Sequence, residues 1–137
     1  MTPRAMIFAI AMVVGGFGAG PAVLAAPDVQ RGETIYARCQ ACHALAFDRV
    51  GPRHCGLLGR RAGSVPAFNY SSAMRRSTIV WDEDALDRFL AAPTKALPGT
   101  TMTYDGIPYR RERADLIAYL RQVDQMPACR GKPALLR

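Results

Sequence analysis

The sequence predicts an all-α domain made of a few short helices joined by long irregular segments. Three features carry that reading. Apolar residues recur at helical spacing around Ile35 and Tyr36, through Ala85, Leu86, Phe89 and Leu90, and through Leu116, Ile117, Leu120 and Val123. Polar or acidic residues suited to helix starts stand ahead of helical stretches, at Asp28, at Ser71 or Ser72, and at Asp82-Glu83-Asp84. The segments between are punctuated by Gly and Pro and show no strand-like alternation.

The chain has 137 residues, enough for one small domain. Its beginning is set apart. Arg4 is the only charge before Asp28, Ala5 to Ala26 are apolar or small, and Val23-Leu24-Ala25 ends the run in a cleavage-site pattern. This is the pattern of a secretory signal peptide over residues 1–25, with residues 26–137 as the domain. The competing reading is an uncleaved membrane anchor, because the run is long enough to span a bilayer. Gly15, Gly16, Gly18, Gly20 and Pro21 weaken its helix and favour cleavage. Export places the domain in the periplasm, an oxidising compartment where spare cysteines can pair.

Asp28 caps a first helix running through Val29, Ile35 and Tyr36 into Cys39. A loop follows from Ala44 to about Tyr70, holding Gly51-Pro52, Gly56, Gly59, Gly63 and Pro66. So long an irregular segment in a small domain needs a surface to pack on. Ser71 or Ser72 caps a short turn through Met74. The stripe from Ala85 to Leu90 makes the next helix, which Pro93 stops. Lys95 to Pro108 read as loop, broken by Pro98-Gly99 and Gly106. The last helix covers about Tyr109 to Val123, with Leu116, Ile117, Leu120 and Val123 buried and its arginines facing water.

The net charge is +7, and nearly all the positive charge is arginine, since Lys95 and Lys132 are the only lysines. A basic exported domain meets anionic lipid or an acidic protein partner, and not nucleic acid outside the cytoplasm. The chemistry-bearing stretch is Cys39-Gln40-Ala41-Cys42-His43. Two thiols at this spacing with a histidine directly after them read as a c-type haem attachment site. Each thiol adds to a haem vinyl group, and the adjacent imidazole reaches the iron. A structural zinc site would need two more ligands, and Cys55, Cys129 and His54 form no second pair of that kind. A thioredoxin-like redox pair would follow a buried strand in a βαβ setting, which this sequence lacks.

Beyond that pentapeptide, the sequence resembles class I cytochrome c across essentially the whole chain after the leader. The matching stretches are Gly51-Pro52, Gly59-Arg60-Arg61-Ala62-Gly63, Asn69-Tyr70, Trp81, Pro98-Gly99-Thr100-Thr101-Met102, and Arg113 to Leu120. The resemblance implies one haem c, bound through thioethers to Cys39 and Cys42, with crossing N- and C-terminal helices and long loops wrapped round it. It implies His43 as proximal and Met102 as distal iron ligand. Of the methionines after the leader, Met74, Met102 and Met126, only Met102 sits in a Pro/Gly-bent loop; the other two read as core. The Pro52 carbonyl is expected to accept a hydrogen bond from His43. Arg60, Tyr70 and Trp81 match positions that hydrogen-bond a haem propionate, with Thr100 assisting at the other. His54, the rival ligand, falls in a segment that the family puts on the proximal side, so it reads as a packed or surface histidine in a position that is usually apolar.

The resemblance also has departures. Phe89 stands where mitochondrial members carry a tyrosine near the methionine sulfur, and Thr101 replaces a common lysine. Cys55 and Cys129 are additions. The even cysteine count and the oxidising compartment predict a disulfide between them. His/Met ligation leaves no open position on iron, so the implied function is a monomeric periplasmic one-electron carrier and not an enzyme. Its partners would be an acidic redox protein or a membrane electron-transfer complex, with membrane contact only through a partner or an uncleaved leader. Arg38, Arg60, Arg61 and Lys95 are expected to form the basic side. The rival readings are a cytochrome subunit of a periplasmic dehydrogenase and a haem peroxidase-like enzyme.

Overall fold

The computed structural model describes residues 25–130. The expected leader therefore lies outside the described residues except for Ala25, as do Gly131, Lys132 and Pro133 of the tail. The first helix, α1 (Val29–Tyr36), starts where Asp28 accepts hydrogen bonds from the Gln30 and Arg31 amides at 3.0 and 3.1 Å. It tightens into a 3-10 turn over Ala37–Cys39. The Cys39 carbonyl then accepts from both the Cys42 and His43 amides, at 3.1 and 2.9 Å. The pentapeptide is thus a hydrogen-bonded turn that continues the helix end.

Ser71 caps α2 (Ser72–Arg76) through the Met74 amide, and Asp82 caps α3 (Glu83–Ala91) through the Ala85 amide at 2.7 Å. Pro93 ends α3 as expected, but it also opens α4 (Pro93–Ala96), where the sequence predicts loop from Lys95 on. A proline at the first helical position loses no hydrogen bond, because that amide has no partner in the helix. The last helix, α5, is Arg110–Val123. Among the described residues there is no strand, only an isolated bridge between Arg61 and Val80. Around it the Trp81 amide donates to Arg60 and the Gly59 amide to Trp81, each at 2.9 Å, which fixes Arg60 beside Trp81.

The N- and C-terminal helices cross with Ile35, Tyr36, Leu116, Tyr119 and Leu120 buried between them and the core. Gly32 is at the crossing: a methyl group there would collide with the Asp115 carbonyl and crowd Tyr119 Cβ. Gly32→Ala should therefore destabilise the protein by about 1–3 kcal/mol through overpacking. Helix propensity alone would move stability the other way, by about 0.5–1 kcal/mol. Chemical denaturation gives the sign directly.

The expectation that the arginines of α5 face water holds for Arg110 and Arg121 and fails for Arg113, which is 8% exposed. Its guanidinium donates to Asp87 of α3 at 2.8 and 3.3 Å and to the Ile107 and Pro108 carbonyls at 2.9 and 3.0 Å. Its fork of donors can be buried because an acid and two carbonyls meet it. Asp115 is fully buried in the same way, accepting from the Asp28 amide at 2.8 Å with Arg31 and Arg111 at 3.3 and 3.2 Å. Beyond α5 the chain returns to the loop after Pro52, where Cys129 meets Cys55 with their Cα atoms 5.2 Å apart.

Candidate functional site

One cavity of about 440 Å³ is lined by every residue the sequence assigned to the haem and its iron: Cys39, Cys42, His43, Pro52, Arg60, Tyr70, Trp81, Thr100 and Met102. Its apolar wall includes Leu57, Leu86, Phe89, Leu90, Leu116 and Leu120, contributed by the loop, α3 and α5.

His43 is held by its Nδ1, which lies 2.7 Å from the Pro52 carbonyl and donates to it. That contact selects the tautomer with a free Nε2 lone pair, the form a metal requires. Burial lowers the His43 pKa, partly offset by the Pro52 carbonyl. Neither Cys39 nor Cys42 takes part in a disulfide, so both sulfurs remain available for thioether bonds. Met102 is half-buried in the loop after α4, and its amide donates to Thr100 Oγ1 at 3.3 Å. Thr100 therefore shapes the methionine loop in addition to lining the cavity.

The expected propionate donors are less simple than the sequence implied. Arg60 donates to the Cys55 and Arg53 carbonyls at 3.1 and 2.8 Å, so its guanidinium braces the loop as well as facing the cavity. The Tyr70 hydroxyl accepts from the Val65 amide at 3.3 Å, which leaves its own proton free to donate. The Trp81 ring packs edge-on against Phe89, centroids 5.0 Å apart.

His54 is a packed histidine, as expected, and it is packed on the ligand candidate itself. The two imidazoles stack with centroids 4.3 Å apart. Its Nδ1 lies 3.1 Å from the Tyr36 hydroxyl, and burial, with His43 and Arg60 adding to it, pushes its pKa down to about 3. Tyr36, Phe68, Met74 and Tyr104 also line the cavity and carried no distinguishing signal in the sequence. Each sits at an ordinary core-type position, and only tertiary packing turns it inward.

The basic side departs from expectation. Arg38 pairs with Glu112 at 2.9 Å, Arg60 turns inward, and Lys95 lines a separate groove with Arg88. Arg61 remains exposed, while Arg49 stands beside the exposed Val50 at the cavity. The zinc alternative loses Cys55 and Cys129, which face each other, while His54 directs its Nδ1 to the Tyr36 hydroxyl. Among the described residues no group of three or more His, Cys, Asp or Glu gathers as a metal site. Two thiols, an imidazole with a free Nε2, a thioether, an apolar wall and polar groups able to donate form a set that fits a covalently held haem.

The family model for cytochrome c matches residues 29–124. Cytochrome c2 of Rhodomicrobium vannielii is 40% identical over 114 residues, covering 81% of this chain and 91% of that protein. Cytochrome c2 of Agrobacterium tumefaciens is 44% identical over 99 residues, 68% of this chain and 89% of that one. Among solved structures, cytochrome cH from Methylobacterium extorquens superposes with a TM-score of 0.68 at 38% identity, covering 69% of this chain and 98% of that chain. The expected crossing of terminal helices around loops is therefore the fold of a known family. The chain belongs to the cytochrome c family as a class I c-type cytochrome, an electron-transfer protein and not an enzyme, with one covalent haem c as its cofactor.

Proposed function

We propose that this cytochrome is a periplasmic one-electron carrier whose haem is bonded to Cys39 and Cys42 and whose iron is ligated by His43 and Met102. The observation that carries the proposal is the single cavity gathering these four side chains with Pro52, Arg60, Tyr70, Trp81 and Thr100. Haem c, when bound, supplies a one-electron ferric–ferrous couple. The protein does the rest. Pro52 holds the proton on His43 Nδ1 and leaves Nε2 to the metal. Met102 is a weak thioether donor that raises the potential. The Leu and Phe wall excludes water from the cavity. Arg60, Tyr70, Trp81 and Thr100 offset the burial of the propionates.

Absorption spectra of the oxidised and reduced protein test the ligation. A low-spin haem c with the methionine–iron charge-transfer band is expected, and a high-spin spectrum without that band would refute Met102 as ligand.

The leader over residues 1–25 is removed, leaving a monomer that touches membrane only through a partner; an N-terminal mass measurement checks the cleavage. The partner is an acidic redox protein or the acidic face of a membrane electron-transfer complex, met by a basic exterior that includes Arg49 and Arg61. The net charge of +7, about +6 once Arg4 leaves with the leader, favours such a partner. Electron transfer to it should slow steeply as ionic strength rises, because a Debye length near 10 Å at 0.1 M screens the attraction. A rate that stays flat across salt would sink this assignment. Cys55 and Cys129 form a disulfide that ties the chain end after α5 to the loop beyond Pro52.

A further inference from the structure

The His43 imidazole has little room to turn. Besides the Pro52 contact at Nδ1, the backbone at Gly51 lies so close that a methyl group there would collide with the ring. Against the ring lies His54, planes only 20° from parallel. His54 is itself fixed. Its amide donates to the Ala44 and Leu45 carbonyls, each at 3.1 Å, and its Nδ1 meets the hydroxyl of Tyr36. The Tyr36 ring stands edge-on to His54, centroids 5.6 Å apart, and packs on Tyr119 of α5 at 5.3 Å. A continuous aromatic stack therefore runs from the α1–α5 crossing to the ligand candidate.

We propose that His54 is a positioning residue for His43: its ring sets the angle of the ligand imidazole about the iron–nitrogen axis and couples that angle to the helix crossing through Tyr36. The proposal rests on His43 being the proximal ligand. Turning an axial imidazole about its bond to iron changes which iron d orbital its π system overlaps, and with it the electronic structure of the ferric state. An aliphatic side chain of similar volume would fill the space. It would offer no flat face to His43 and would leave the buried Tyr36 hydroxyl without its partner.

The haem-loaded protein and its His54→Leu, His54→Phe and Tyr36→Phe variants are compared by electron paramagnetic resonance of the oxidised form and by reduction potential. His54→Leu is expected to displace the largest g value and shift the potential. His54→Phe, which keeps the flat face but loses the Tyr36 hydroxyl contact, should shift the g values less than His54→Leu does. Tyr36→Phe should move the g values partway towards those of His54→Leu. All three variants can lower unfolding stability, but a purely structural role for His54 leaves the g values unmoved. Parent-like g values in His54→Leu overturn the proposal. Should that variant not take up haem, Tyr36→Phe decides: displaced g values support the coupling and unchanged ones overturn it. A parent protein that itself lacks a low-spin signal would instead refute the ligand assignment, which separates the two failures.

Discussion

Replacing Met102 with alanine should convert a low-spin, closed haem into one that binds water, carbon monoxide or peroxide, with the haem still attached through Cys39 and Cys42. The thioether comes from a half-buried loop residue whose amide is tied to Thr100, so its removal opens one axial position and leaves α1 and α5 intact. The methionine–iron band should vanish completely. The reduction potential should fall, because the weak donor that favours ferrous iron is gone. His54→Ala is the comparison for the methionine–iron band alone, which it should keep. His54 stacks on His43, and a second ligand cannot come from the side that His43 already occupies. If the Met102→Ala spectrum were unchanged while His54→Ala lost the band, the distal assignment would be wrong.

Loss of the bridge between Cys55 and Cys129 should cost about 4 kcal/mol, the chain-entropy expectation for a long closed loop. The two residues are 74 apart in sequence, so the unfolded chain loses much freedom when they are joined. Cys55→Ser, Cys129→Ser and the double variant should be about equally destabilised in denaturant unfolding, because any one of them breaks the same bond. Costs that simply add would mean two independent core cysteines. Alkylation of the denatured, unreduced protein supplies a direct check. No alkyl group on Cys55 or Cys129 before reduction and two after is the expected pattern. Both residues modified before reduction would refute the bond.

The pentapeptide from Cys39 to His43 announced the cofactor because its chemistry is local. Vinyl addition and iron ligation need those residue types at that spacing, and no distant contact changes the requirement. Helix starts at Asp28, at Ser71 or Ser72 and at Asp82-Glu83-Asp84 were legible for a similar reason: a cap bonds amides within its own first turn, and the structure chose Ser71 and Asp82. Met102 was legible as a ligand candidate through the family resemblance and its Pro/Gly-bent loop, and the structure places it in the cavity with His43. The α4 turn was missed because proline is both a stop for one helix and a good first residue for the next.

The positions that the sequence left open are those whose roles depend on distant partners. Arg113 reads as a surface residue until Asp87 and two loop carbonyls surround it, since burying a guanidinium requires acceptors that local pattern does not reveal. Gly32 looks like a weak point in a helix until α5 crosses directly over it. Arg60 was assigned to a propionate, yet it also braces the loop through carbonyls that only folding brings near. His54 shows the division most plainly. The family resemblance put it on the proximal side as a packed or surface histidine. Only the tertiary fold decided that it lies flat against His43 with Tyr36 behind it. Stacking is a relation between rings from separate segments, and chain order does not encode it. The sequence by itself determined the cofactor, the helix starts and the candidate ligand His43 through short-range chemistry, and the candidate Met102 through its family resemblance. The tertiary structure decided how those ligands are held, because the path of the folded loop, and not residue type, brings the Pro52 carbonyl and the His54 ring against His43 and sets Tyr36 behind them.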